Sequence, residues 1–159
     1  MATLILLYSR SSTLKGPVLA EAIRETATAP PYGFAWSLGG RAGAEDKARV
    51  GDRAFLYAQG NVSPSSDRYK LFASGHLVAI SNRNVVLADG QSRRAADIDW
   101  DAILPLSLGV PREALDARVP GERWTGRPYG DVVASANSAA ALNGVWTEHL
   151  HLLSTRART

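Results

Sequence analysis

The sequence predicts an α+β domain built on a curved sheet or small barrel with flanking helices, and three observations predict it. The run Thr3–Tyr8 (TLILLY) is apolar almost throughout, as a buried strand is. The middle of the chain carries several short segments of strand character separated by polar turns rich in Gly, Pro, Asn and Ser. From Ser135 to Leu153 a single long stretch repeats Leu142, Val145, Trp146, His149, Leu150 and Leu153 at the helical interval.

In chain order, Thr3–Tyr8 is the first strand. Gly16-Pro17 opens a helix, because proline at a first helical position loses no hydrogen bond; Val18, Leu19, Ala22 and Ile23 give that helix an apolar face. Phe34–Ser37 (FAWS) is a short second strand running into Gly39, Gly40 and Gly43. Val50-Gly51-Asp52 is a turn, and Arg53–Tyr57 follows as a strand with Phe55 and Tyr57 on one face and Ala54 and Leu56 on the other. Asn61–Arg68 (NVSPSSDR) is a polar loop. Leu71–Ile80 (LFASGHLVAI) is a long strand, interrupted at Ser74-Gly75 by a bulge or a close backbone approach.

Asn82–Arg94 is polar and turn-rich around Val85-Val86-Leu87, and Ala95–Leu104 (AADIDWDAIL) alternates as a half-exposed strand that Pro105 ends. Pro111–Leu115 is a short helical turn, and Val119–Tyr129 (VPGERWTGRPY) is a loop. The long helix closes the chain, with residues 154–159 as a flexible tail. There is no internal repeat and no linker, so residues 1–159 are expected to form one domain.

At 159 residues the chain is long enough to bury a core without covalent staples. It has no cysteine, which removes disulfides and thiolate metal sites and suits a reducing cytoplasm. The apolar run near the N-terminus is too short for a signal peptide or a membrane span. Arginine outnumbers lysine fifteen to three. The net charge of +3 and a sequence pI of about 9.5 favour an anionic partner such as nucleic acid. The planar arginine fork donates two hydrogen bonds to a phosphate, so the bias suits that partner, although a GC-rich genome also explains it.

The motifs of common hydrolases and metalloenzymes are missing: no G-x-S-x-G, no H-E-x-x-H and no phosphate-binding glycine loop. Of the three histidines, His149 and His151 point to different faces of the last helix and His76 stands alone in a strand. Asp97, Asp99 and Asp101 share one strand face; a solvated edge explains them better than a metal site. No catalytic residue, metal or cofactor is called for.

The tryptophans are more informative. Trp146 and Trp100 fall at core positions of their helix and strand. Trp36 (FAWSLGGR) and Trp124 (ERWTGRPYG) sit among glycines and polar residues, near Arg41, Arg123 and Arg127. Each is either a plug under its loop or a pocket wall on which a flat ligand stacks; the pair of them favours the pocket.

The order of these segments resembles the PUA-like superfamily. The likeness is greatest to EVE-type domains, found alone or fused to HNH nucleases in modification-dependent restriction. It rests on Trp36-Ser37 with Arg41, then Val50-Gly51-Asp52-Arg53-Ala54-Phe55-Leu56, Gln59-Gly60 and Phe72-Ala73-Ser74-Gly75. Ile103-Leu104-Pro105, Trp124 with Gly130, and Leu142-Asn143-Gly144-Val145-Trp146 follow, so it spans roughly residues 34 to 150. Two departures stand out: Arg127-Pro128-Tyr129-Gly130 replaces a polar-Ser-Gly segment, and Asn61–Arg68 widens a loop.

The resemblance implies a partial β-barrel in which the Gly-Asp turn begins a central strand behind a ligand pocket. It implies a nucleic-acid-binding module that flips a modified base, first of all a modified cytosine in DNA, into an aromatic pocket. Trp36 and Trp124 would be its walls, Ser37, Ser74 and Gly75 would read the base edge, and Arg41, Arg123 and Arg127 would hold flanking phosphates, with Tyr129 as a cover. Any cutting would belong to a nuclease partner or fusion. Two relatives of the same fold offer alternatives. One is a YTH-like reader of modified RNA. The other is an ASCH-like amidohydrolase using a lysine and an acid, although Lys15, Lys47 and Lys70 all lie outside the matched pocket segments. A plain interaction domain is the fourth reading.

Overall fold

A computed structural model describes residues 1–8, 36–38, 48–60, 62, 65–80, 85–86, 92–125 and 132–157. The helix expected from Gly16-Pro17 lies outside them. The described chain is α+β. Its strands are β1 (Thr3–Tyr8), β2 (Trp36–Leu38), β3 (Arg53–Ala58), β4 (Lys70–Ile80), β5 (Val85–Val86), β6 (Ser92–Ile103), β7 (Val110–Pro111) and β8 (Val132–Val133). Its helices are α1 (Arg112–Arg118) and α2 (Ala136–Ala157).

The sheet runs β2-β6-β4-β3-β1-β8, with β5 added to β6 and β7 to β4. β1–β3 is parallel and the other pairs are antiparallel, so the sheet is mixed, and among the described residues its two edges, β2 and β8, do not pair with each other, so it is not closed. At its centre β1 lies parallel to β3 in register from Thr3↔Arg53 to Tyr8↔Ala58. Strands in that position are covered on both faces, which is why TLILLY carries no polar alternation.

The alternation of β3 divides two cores. Ala54 and Leu56 join Leu4, Leu6, Phe72, Leu77 and Ile98 on one face. Phe55 and Tyr57 join Ile5, Leu7 and Leu71 on the other, where α1 and α2 bring Leu115, Leu142, Val145 and Trp146. Both faces of β3 are therefore buried, as the sequence pattern requires.

The turn into β3 is built as its residues suggest. Gly51 has φ +93°, a conformation that costs an L side chain strain, and open space surrounds its α-carbon, so the angle rather than room demands glycine. Asp52 is buried; its Oδ2 accepts the Arg49 amide at 2.8 Å and its Oδ1 accepts the Ala2 amide at 3.0 Å. Amides of Gly51 and Leu77 complete the join, donating to Leu77 O and Asp52 O at 2.7 and 2.9 Å.

The interruption in β4 is also where the sequence marks it. The register with β6 shifts between Ser74 and Gly75, and again between Leu77 and Ala79. A Cβ on Gly75 would run into the Asp99 carbonyl oxygen and Ile98 Cγ2, so this glycine lets β6 come close.

Elsewhere tertiary pairing redraws the boundaries. Residues 92–94, expected in a polar turn region, belong to β6 because they pair with β5 and β2: Ser92↔Val86, Arg93↔Val85, Arg94↔Leu38. The short turn expected over Pro111–Leu115 is a helix reaching Arg118. Residues 65–67 of the expected polar loop form a 3-10 turn, and Val62 is buried. Ser135 Oγ accepts the Ser138 amide at 3.2 Å and starts α2, which runs on to Ala157 through most of the stretch expected as a tail. No helix among the described residues is long and apolar enough to cross a membrane.

Candidate nucleic-acid interface

Trp124 is fully buried in the core beneath α2. Its Nε1 donates to the Val119 carbonyl at 2.9 Å, its ring meets Tyr57 edge-on with centroids 5.1 Å apart, and its own carbonyl accepts the Tyr57 hydroxyl. An indole with both its ring and its N–H so engaged offers no face to a ligand. It plugs the loop after α1.

Trp36 is on β2, at the sheet edge, with its backbone opposite Ala96 of β6; Ala96 in turn faces Ile80 at one end of β4. Tyr57, the neighbour of Trp124, faces Leu71 at the other end. Those ends are separated by roughly 30 Å of strand at about 3.3 Å per residue. The two tryptophans expected as walls of one pocket are thus placed at opposite corners of the sheet, and the reason is the length of β4.

The remaining candidates divide along the same axis. Ser37 lies beside Trp36 on β2, opposite Ala95. Ser74 and Gly75 are mid-sheet and buried; Ser74 faces Phe55 across the β3–β4 pair, and its Oγ has no hydrogen-bond partner among the described residues. Arg123 is exposed and lines an open depression with Asp116, Glu122 and Thr125. Arg41, Arg127 and Tyr129 lie outside the described residues.

β4 pairs with β6 over Ala96–Ile103, whereas β2 covers it on the other side only over Arg94–Ala96, so among the described residues Asp99 and Asp101 are exposed on a stretch with a strand on one side only. His76 is not alone: Asp101 Oδ2 is 3.4 Å from His76 Nδ1 and 3.7 Å from Arg53 Nη1, while the Arg53 guanidinium lies over Phe55, 5.0 Å from its centroid. No group of three metal-ligating side chains occurs among the described residues. His149 is engaged with the Leu108 carbonyl. Trp146 is core, as its helical position indicates, meeting Phe55 edge-on at 5.9 Å, and Trp100 packs partly buried against the other core face.

One group escaped the sequence reading. Tyr69 and Arg112 meet where β4 begins, with Arg68 and Lys70 next to Tyr69 in the chain. β7 pairs with β4 so that Pro111 is opposite Lys70, which sets the first residue of α1, Arg112, against Tyr69. The signal was present as Arg68-Tyr69-Lys70, an aromatic between two basic residues, but it lay in a stretch read as loop and strand start.

Compared with protein-family models and with curated proteins, the chain matches none.

Proposed function

We propose that the chain is a nucleic-acid-binding module that reads a modified base, with modified cytosine in DNA as the first candidate. The observation that supports this reading most is the placement of the resembling segments. Trp36-Ser37 falls on the edge strand β2, Val50–Arg53 on the turn into a central strand, and Phe72–Gly75 at the middle of β4. Ile103-Leu104-Pro105 falls at the end of β6, and Leu142–Trp146 on the helix that covers one face. These short segments fall on one sheet and the helix that packs on it, an arrangement compatible with the resemblance.

In this reading the stacking role rests with Trp36 alone. Trp124 fixes the loop that presents Arg123, whose exposed guanidinium suits a phosphate. The base edge would be met by Ser37 and residues around β2, since Ser74 Oγ is sealed beneath the sheet face. The module binds and a nuclease partner or fusion cuts. The amidohydrolase alternative gains nothing: Lys70, the one described lysine, makes no ion pair with an acid among the described residues.

The test is a binding titration at fixed salt with short duplexes carrying cytosine, methylcytosine, hydroxymethylcytosine or methyladenine, and matched RNA strands. A preference of about tenfold or more for one modified DNA, removed by Trp36→Ala, supports the reading; such a loss is near the low end of what one stacked base contributes. Preference for a modified RNA moves the substrate class. Equal affinity for all strands ends the base-reading proposal.

A further inference from the structure

Tyr69 is the one described non-glycine residue with positive φ, at +59°. For a bulky aromatic this conformation is unfavourable by order 1–3 kcal/mol and persists only where its surroundings impose it. Three contacts impose it here. The Tyr69 amide donates to the Ala58 carbonyl at 2.9 Å. The hydroxyl end lies against Gly60, where a Cβ would collide with Tyr69 Oη. The ring packs against the core beneath α2, while Arg112 Cζ lies over it, 5.1 Å from the centroid.

Arg112 is in turn held from two sides. Its Nη1 reaches Thr125 Oγ1 at 3.5 Å and its Nη2 is 3.7 Å from Glu113 Oε1, both weak contacts, and its side chain is 36% exposed. Arg68 precedes Tyr69 in the chain, and its Nε donates to the Val62 carbonyl at 2.7 Å. Lys70 follows Tyr69 on β4, opposite Pro111 of β7. Thr125 joins the group to the depression that Arg123 lines. Arg112 over the ring, with Arg68 and Lys70 as the chain neighbours of Tyr69 and Glu113 beside Arg112, makes a basic segment around one aromatic held in a costly conformation.

We infer that Arg112, carried on Tyr69, is a stacking platform for a nucleobase of single-stranded nucleic acid, with Arg68 and Lys70 on the flanking phosphates. A guanidinium backed by an aromatic ring keeps a delocalised outer surface for a base, and every base has such a surface, so the site is tolerant of sequence. The strand must be single because the platform needs an unstacked base. Glu113, only loosely paired, gives way to the phosphate. The site is distinct from the β2 corner. It shares with the function proposed above only the class of partner, and it supplies affinity where β2 supplies discrimination.

The test uses the full chain and a labelled, unmodified oligothymidylate of about twelve nucleotides, within the usual span of single-strand sites, titrated at several salt concentrations. Arg112→Lys keeps the charge and loses the planar group; it should weaken binding about tenfold with the salt slope unchanged. Tyr69→Asn, which tolerates positive φ, should do the same. Lys70→Gln should reduce the salt slope by about one.

Circular dichroism confirms that each variant is folded, and should Tyr69→Asn not fold, Arg112→Lys still decides. Wild-type affinity in folded Arg112→Lys, or no binding of the oligonucleotide by the wild-type chain, overturns the inference. The two proposals fail separately. Loss of binding in Arg112→Lys without any preference for modified bases leaves this site standing and the reader fallen. A preference that survives in Arg112→Lys at full affinity does the reverse.

Discussion

Asp52 holds Ala2: its Oδ1 accepts the Ala2 amide at 3.0 Å, fifty positions back along the chain, while Oδ2 holds the Arg49 amide. One buried carboxylate thus fastens the entry to β1 to the turn that starts β3, just where the parallel pairing begins at Thr3↔Arg53. Asp52→Ala leaves two amides without their acceptor, and stability should fall by about 2–3 kcal/mol. Asp52→Asn keeps one acceptor oxygen and should lie between the two. Urea unfolding measures both, and an alanine variant with an unchanged midpoint would remove this join from the account.

Trp124 separates packing from binding. Trp124→Ala should cost about 3–5 kcal/mol, as removal of a buried large aromatic does. Trp124→Phe should cost less and still expose the loss of the bond to Val119 O. Measured on the folded fraction of Trp124→Phe, which keeps a ring under the loop, nucleic-acid affinity should stay within about twofold of wild type, a difference of under half a kcal/mol. An affinity loss without a stability loss would return this ring to the binding site.

Those two residues also show what the sequence could and could not say. Gly51-Asp52 was legible because a turn is a local event: the residue types that permit positive φ and accept backbone amides are few. The strand faces of β3 and the buried face of α2 were legible for the same reason, since periodicity is local. Trp124 was not. Gly-rich neighbours distinguish neither a plug from a pocket wall nor one corner of a sheet from another, and only the length of β4 and the partner of β2 set Trp36 and Trp124 apart. The β6 start at Ser92 was hidden because its pairing partners, β2 and β5, supply the order that its own polar residues do not. Tyr69 was missed because its strain is a backbone angle and its platform, Arg112, is brought by β7.

Ser74 Oγ is buried and has no hydrogen-bond partner among the described residues, so nothing there offsets its desolvation. Ser74→Ala should be neutral or stabilising by up to about 1 kcal/mol. A loss of stability, or a loss of base preference at wild-type stability, would show that the hydroxyl has a partner after all.

At Gly75 the added methyl of Gly75→Ala meets backbone on β6, which cannot rotate away as a side chain could. The variant should lose about 1–3 kcal/mol, the usual range for overpacking. Thermal melting checks it. An unshifted melting temperature would mean that β4 and β6 separate at little cost.

Asp101 bridges Arg53 and His76 at a partly exposed site, with its own side chain 44% exposed. Solvent and salt weaken such pairs, so the coupling between Asp101 and Arg53 in a double-mutant cycle should be below about 1 kcal/mol and decline as salt rises. A coupling of several kcal/mol that ignores salt would identify the pair as far better shielded than its exposure implies.

β1 has a neighbour on each side, and the two become available at very different times. β3 is complete once Ala58 is made, but β8, at Val132–Val133, is the partner on the other side over Leu4 and Ile5. During synthesis that edge of β1 must therefore wait for β8, and the closing contact, Leu4↔Val133, joins residues well over a hundred positions apart. Chains dominated by such distant contacts fold slowly and expose sticky edges meanwhile. A chain cut before β8 would lack α2 as well, and Phe55 and Tyr57 would lose the helix that packs on their face.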